Sequence, residues 1–295
     1  METLQKNQGL GIILVLLSGL FYGTNPTLGK LHFQEGGDTL SFLIVRFFVA
    51  TIILLGVYFW RRPTTKPTMK QVIMAFILGL TIFFISFLYV AAVKFIPAGL
   101  VTLLLFTFPF WIVLLAYITK EETIDKVKIG CLIAAFLGLV LTIGTEFTGL
   151  AWEGILLGLC AGLGIALNVF YGNRLTKNMD NQTFTLLMMI SCAIVCFPVM
   201  LVDTPTFPHS FLGWSNVFLA AILFSGGLFC FFAGMINLGP IKASLYNNIE
   251  PVFSIILAYL ILNEKMAFYQ YIGAGLVIVS IFAIQIIKPK VQYDG

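Results

Sequence analysis

Leu115-Ala116-Tyr117 and Leu257-Ala258-Tyr259 are the same tripeptide 142 residues apart, and at that offset Pro109 falls on Pro251 and Glu122 on Glu264. Upstream, Gly11, Gly19 and Asn25 fall on Gly154, Gly162 and Asn168 at an offset of 143, so one residue is gained or lost along the way. A match that covers half of a strongly apolar chain is the mark of a duplicated membrane bundle, and many solute-moving bundles are built by such duplication.

Composition fixes the solvent. The chain has 295 residues, 59% hydrophobic and 10% charged, with a mean hydropathy of +1.00. A soluble domain carries roughly a quarter of its residues charged, so this chain reads as an integral membrane protein. Inside a bilayer every lipid-facing backbone amide must be satisfied within its own element, which leaves helices or closed barrels. The apolar runs are long and lack strict alternation, so helices are expected. Five cysteines, mostly within apolar runs and without CxxC pairing, fit small core residues. Both histidines, His32 and His209, fall in expected loops, and no HExxH-type metal centre is present.

Apolar runs bounded by charges and turn residues give ten spans, near 9–30, 38–60, 70–93, 97–119, 127–145, 152–173, 181–202, 214–238, 240–262 and 267–288. The first is longer than a signal-peptide core and lacks a small-x-small cleavage site, so it is expected to stay in the protein. Basic residues set the direction. With the N-terminus inside, Lys6, Arg61, Arg62, Lys66, Lys70, Lys120, Lys126, Lys128, Arg174, Lys177, Lys242, Lys288 and Lys290 are cytoplasmic; only Lys30, Lys94 and Lys265 lie outside. Both termini are thus expected in the cytoplasm. Five spans per repeat is an odd number, so the halves, 1–146 and 147–295, enter the membrane in opposite senses. The longest linker, around Asp203–Gly213, leaves no room for a soluble domain.

Polar residues at depth mark the candidate site. Pro240 suits the first turn of span nine, and Glu250 lies about 15 Å further on at 1.5 Å per residue, near the bilayer midplane. Asn247, Glu250 and Ser254 share one face, and Pro251 permits a kink there. A carboxylate at that depth costs on the order of 2.5–3.5 kcal/mol unless paired, wetted or protonated. It either lines a cavity, binding a cationic group or carrying a proton, or holds a neighbouring helix. Arg46, within span two, reads first as a structural intramembrane charge bonded to carbonyls or to an acid, with contact to an anionic substrate as the alternative. Ser18, Tyr22 and Asn25 form a polar stripe on span one, and Asn168 repeats Asn25 on span six. Two repeat-related asparagines belong near the pseudo-symmetry axis, where substrate sits in such bundles, or they tie helices together.

Among 29 Phe, 10 Tyr and 4 Trp, Tyr89, Phe108, Trp111, Phe232 and Tyr246 are candidate cavity residues. Gly154, Gly158 and Gly162 on span six, and Gly130, Ala134 and Gly138 on span five, form small-residue ladders that let helices approach closely.

These segments resemble the drug/metabolite transporter superfamily, of the EamA-domain type with two five-helix repeats. The resemblance is carried by Phe21-Tyr22-Gly23-Thr24-Asn25 through Lys30, Val45-Arg46-Phe47 with Ala50, and Leu88-Tyr89 through Pro97-Ala98. Pro109 through Glu122 and Asn248-Ile249-Glu250-Pro251 through Asn263-Glu264 complete it. Order, spacing and duplication carry the likeness; no single motif does. Tyr22 stands where the family usually has Trp, Asn263 where it has Gly, and Met189 aligns with Arg46, so the second half lacks that arginine. The resemblance implies a ten-helix bundle around a central cavity formed by spans one, three, four, six, eight and nine, with Arg46 as scaffold.

The expected function is secondary transport, in particular export, of small metabolites such as amino acids across the bacterial inner membrane, by alternating access between the halves. Efflux of cationic compounds is the nearest alternative. An embedded enzyme needs paired acids or an activated nucleophile within the bundle, and a channel needs filter loops or charge rings; neither pattern is present. There is no phosphate-binding GxxxxGK[ST] loop. The expected partners are a small-molecule substrate and the lipid bilayer, with no cofactor and no nucleic acid, in a monomer or homodimer.

Overall fold

A computed structural model describes residues 7–61, 66–93, 95–96, 98–120, 126–143, 151–262 and 267–286. Glu122, Glu264, Asn263, Lys94, Pro97, Arg62, Lys265, Lys288 and Lys290 lie outside the described residues. Every regular element among those described is an α-helix: α1 (Gln8–Gln34), α2 (Thr39–Arg61), α3 (Met69–Val93), α4 (Ala98–Leu105), α5 (Phe108–Ile118) and α6 (Lys126–Ile143) form the first half. The second holds α7 (Trp152–Thr176), α8 (Asn181–Val202), α9 (Phe211–Leu238), α10 (Pro240–Asn247), α11 (Glu250–Leu262) and α12 (Phe268–Ile286). Among the described residues nine spans are long and apolar enough to cross a bilayer; α12 supplies the tenth, with a shorter described apolar part, Phe268–Ala283. Large apolar side chains such as Trp60, Leu201, Val202 and Phe211 point outward fully exposed, as a bundle solvated by acyl chains requires and a water-soluble one does not tolerate in such number.

Spans four and nine are each broken in two, where the sequence predicts single helices with at most a kink. The breaks fall on the same repeat position: α4 ends at Leu105 and α10 at Asn247, 142 residues apart. Proline is the cause. Pro109 and Pro251 lack the N–H that would bond to the carbonyls of Leu105 and Asn247. The chain tightens instead: Thr107 N–H donates to Leu104 O at 3.1 Å and Ile249 N–H to Tyr246 O at 3.2 Å, both three residues back. Discontinuous spans at matching places in two halves are the arrangement in which membrane bundles expose backbone and polar groups at mid-depth.

Packing obeys the repeat. Span one packs most closely on span eight and span six on span three; exchanging the halves turns one pair into the other. Span five on span ten, and span two on span seven, are each their own image. The bundle is therefore two inverted five-span repeats about a pseudo-two-fold axis. Small residues sit where the halves meet. A Cβ on Gly19 would lie against Ile249, and one on Gly162 would meet Leu104 O at 2.8 Å and Thr107 Oγ1 at 2.9 Å, and Ile249 is the repeat equivalent of Thr107. Gly138 packs against Gly273 and Val277 of α12. Gly130 faces open space, so the predicted ladder on span five does not extend to its first member.

Two matching caps open the second span of each half. Ser41 N–H donates to Asp38 Oδ1 at 2.7 Å, and Thr183 N–H to Asp180 Oδ2 at 3.0 Å, a side-chain acceptor for an otherwise orphaned helix donor. These caps set the offset at 142 by residue 38, so the position facing Arg46 in the second half is Met188 rather than Met189; neither is charged.

The loop after α1 is tied to the loop before α9. Thr206 N–H donates to Asp38 Oδ2 at 2.8 Å, Asp38 N–H to Thr206 O at 3.0 Å, and Ser210 Oγ to Glu35 Oε2 at 2.6 Å. His32, expected in a loop, instead lies in the last turn of α1, fully buried, with Nε2 3.0 Å from Ser41 Oγ. The helix runs four residues further than the apolar pattern because His32 and Phe33 pack on Phe42. Burial raises the Asp38 carboxyl, but hydrogen bonds from the Ser41 and Thr206 backbones and the Ser41 side chain outweigh it and hold the group below its ordinary value. A lowered carboxyl contributes stability above its unfolded value of about 3.9 and loses it as pH falls through the folded value. Asp38→Asn is thus expected to lower the melting temperature at neutral pH, with the difference from wild type shrinking as pH falls below about 4. A difference that widens with acid would contradict this.

Candidate functional site

At mid-depth, where both broken spans face the axis, the bundle holds a half-open cavity of about 270 Å3. Its lining is built from repeat-related pairs. Tyr22 of α1 corresponds to Ile165 of α7, and Ile82 of α3 to Phe224 of α9, and all four line the cavity. Leu105 and Phe108 in span four correspond to Asn247 and Glu250 in span nine, 142 residues on, and all four line it. The lining thus comes from spans one, three, four, six, eight and nine, and through Arg46 also from span two.

The broken spans explain why polar groups are here. Glu250 is the first residue of α11 and Asn247 the last of α10, so the gap turns both inward. Asn247 Nδ2 donates to Glu250 Oε2 at 3.1 Å, and Asn247 Oδ1 is buried without a hydrogen-bond partner. Gly23 makes this geometry possible: a Cβ there would sit 2.8 Å from Glu250 O and 3.0 Å from Ser254 N, so α1 lies directly on the α11 backbone.

Arg46 finds neither of the structural partners the sequence suggested. Its guanidinium carbon lies 4.3 Å from the centre of the Phe224 ring and 5.0 Å from that of Phe47, and its Nε is buried without a hydrogen-bond partner. Among the described residues no acid forms an ion pair with it, so aromatic faces hold the cation at the cavity wall. Tyr22 packs on the same Phe224 ring, centroids 5.6 Å apart, and lines the cavity together with Arg46 and Glu250.

Of the ten candidate cavity residues, Tyr22, Phe108, Asn168, Phe232, Asn247 and Glu250 are in the lining; Asn25, Tyr89, Trp111 and Tyr246 are not. Tyr89 is turned to the neighbouring span, its hydroxyl 2.9 Å from Thr102 Oγ1. Tyr246 is fully buried behind the wall, and the Trp111 indole N–H is buried without a partner. The asparagine pair is used unequally. Asn25 Nδ2 donates to Phe21 O of its own helix at 3.0 Å. Asn168 Nδ2 donates across the halves to Leu78 O at 2.6 Å and Thr81 Oγ1 at 2.8 Å. Removing that tie in Asn168→Ala is expected to cost about 0.6 kcal/mol and at most roughly 1.7, the measured range for such bonds in membranes. Unfolding in detergent would check it, and a loss of several times that size would mean Asn168 anchors much more than one pair of helices.

Sequence reading passed over Phe224, Ser86 and Ile165. The repeat itself holds the missing signal: adding the offset to Ile82 gives Phe224, and subtracting it from Leu228 gives Ser86.

Known proteins with the same pattern extend along the whole chain. An uncharacterized transporter of Archaeoglobus fulgidus is 24% identical over 283 residues, covering 92% of this chain and 95% of that one. The uncharacterized transporter YvbV of Bacillus subtilis is 22% identical and covers 99% and 96%. A crystal structure of a protein 15% identical superposes with a TM-score of 0.76 over 93% of this chain and 96% of its own, a likeness of fold alone. The profile described as "EamA-like transporter family" matches twice, over residues 9–144 and 152–286. Two copies of that profile, one on each inverted half of the bundle, place the chain in the EamA-like transporter family.

Proposed function

We propose that this transporter exports small metabolites, amino acids or closely related compounds, across the bacterial inner membrane by alternating access between its two halves, 1–146 and 147–295. The observation that carries the reading is the mid-membrane cavity lined in repeat-related pairs, with charged groups contributed by both halves. At about 270 Å3 it falls just short of the roughly 300–1,000 Å3 of drug-sized sites, which favours a small metabolite over a multidrug substrate. A lone cationic drug would also meet the Arg46 guanidinium in the same space.

The packing supports such a movement. The halves touch through glycines at Gly19, Gly23 and Gly162, smooth surfaces on which helices can shift without unpacking large side chains. Rocking one half on the other opens the cavity to one face and closes it to the opposite one. With the termini in the cytoplasm, as the basic residues indicate, the tie between Asp38 and Thr206 lies on the outer face and must part when the cavity opens outward. A reporter fused after Gly295 that reads out as external would overturn that orientation.

The test is flux. Purified protein in liposomes is expected to move at least one radiolabelled amino acid down its gradient, and faster than empty vesicles. A panel of amino acids in which none moves would end this reading. Accumulation driven by an imposed pH gradient would add proton coupling; unaltered accumulation would leave exchange or facilitated diffusion.

A further inference from the structure

The two charges of the cavity break its symmetry. At the positions where the first half has Leu105 and Phe108, the second has Asn247 and Glu250; where the first half has Arg46, the second has methionine. Each half therefore contributes one sign of charge, and the two do not pair: Glu250 accepts from Asn247, while Arg46 rests on Phe224. Resting on the amino-acid reading above, we infer that the cavity selects zwitterions, with Arg46 receiving the substrate carboxylate and Glu250 with Asn247 receiving its ammonium.

Three observations carry this. First, the cation is under-satisfied. Arginine at mid-bilayer is costly to hold charged, and a ring face offsets only part of that cost. Its Nε has no acceptor among the described residues, and a carboxylate fits the guanidinium fork with two parallel bonds. Second, the acid end has acceptors to spare. Glu250 receives its hydrogen bond from Asn247, whose own Oδ1 is orphaned, so a carboxylate and an unpartnered amide oxygen stand side by side for a donor with several hydrogens. Third, Arg46, Tyr22, Asn247 and Glu250 line one cavity of about 270 Å3, so both ends are reachable by one small molecule. The rest of the wall, including Phe106, Phe108, Leu228 and Phe231, is apolar, which suits a large apolar side chain.

The experiment uses the full chain in detergent and three ligands: L-phenylalanine, N-acetyl-L-phenylalanine, which lacks the ammonium, and L-phenylalaninamide, which lacks the carboxylate. Wild type is expected to bind phenylalanine at least tenfold more tightly than either analogue. Arg46→Gln should erase the preference over the amide and keep the preference over the acetylated form; Glu250→Gln should do the reverse. Arg46→Lys, which keeps the charge, should retain part of the preference over the amide, and melting temperatures without ligand show that each variant is folded. Wild type binding a singly charged analogue as tightly as phenylalanine, or both variants weakening all three ligands alike, would overturn the assignment. If wild type binds none of the three but moves another amino acid in liposomes, the zwitterion site falls while amino-acid transport stands; if it moves no amino acid, both fall.

Discussion

Gly23→Leu is expected to abolish the folded bundle. A Cβ at this position already lies 2.8 Å from Glu250 O, 2.9 Å from Phe253 Cβ and 3.0 Å from Ser254 N. Two of those three are backbone atoms, which cannot rotate aside as a side chain can. Alanine forces α1 and α11 apart by a few tenths of an ångström, an overpacking cost of about 1–3 kcal/mol. Leucine adds three more carbons in the same gap and should exceed that range, so little monodisperse protein should survive extraction. Gly130→Leu is the matched control. Nothing lies within 4 Å of its Cβ position, so it should stay within about 0.5 kcal/mol of wild type. Equal yields and melting temperatures for the two variants would show that the α1–α11 contact is looser than described.

Glu250→Gln should separate function from fold in the opposite direction. Glutamine keeps the size of the side chain and can still bond Asn247. It removes a carboxylate whose insertion at mid-depth costs about 2.5–3.5 kcal/mol, so the melting temperature should hold or rise. Flux of an apolar amino acid should nevertheless drop by at least tenfold, equivalent to about 1.4 kcal/mol of lost interaction with the ammonium. A variant that transports at the wild-type rate would remove Glu250 from the mechanism, and one that unfolds would make it structural.

The course of the chain was legible because lipid leaves so few choices. Once ten apolar runs and a 142-residue repeat are recognised, helices, inversion and a shared axis follow from backbone satisfaction and from counting. The breaks in spans four and nine were only half legible. Pro109 and Pro251 announce a missing hydrogen bond, but whether a helix bends or parts there depends on packing such as that of Gly19 on Ile249. At the cavity the residues read best were those set by the repeat and by depth, Glu250 and Asn168 among them. Tyr89 and Trp111 misled because aromatic character says nothing about which way a ring turns, and Tyr89 is drawn to Thr102. For Arg46 the sequence offered carbonyls or an acid as partners; no sequence pattern reveals that its guanidinium rests on the Phe224 ring. His32 was misplaced for a related reason: its burial depends on the first turn of α9, 181 residues away, where Gly213 lies beside it.

The central claim, that one cavity between inverted halves is reached from each face in turn, is most directly tested by a cysteine at Ser86. Ser86 lines the cavity on α3, and its five native competitors, Cys131, Cys160, Cys192, Cys196 and Cys230, are first replaced by serine or alanine. In vesicles of both orientations, a membrane-impermeant maleimide should label Ser86→Cys from either side, and the modification should stop flux. Labelling from one face only, or labelling that leaves flux intact, would contradict the account.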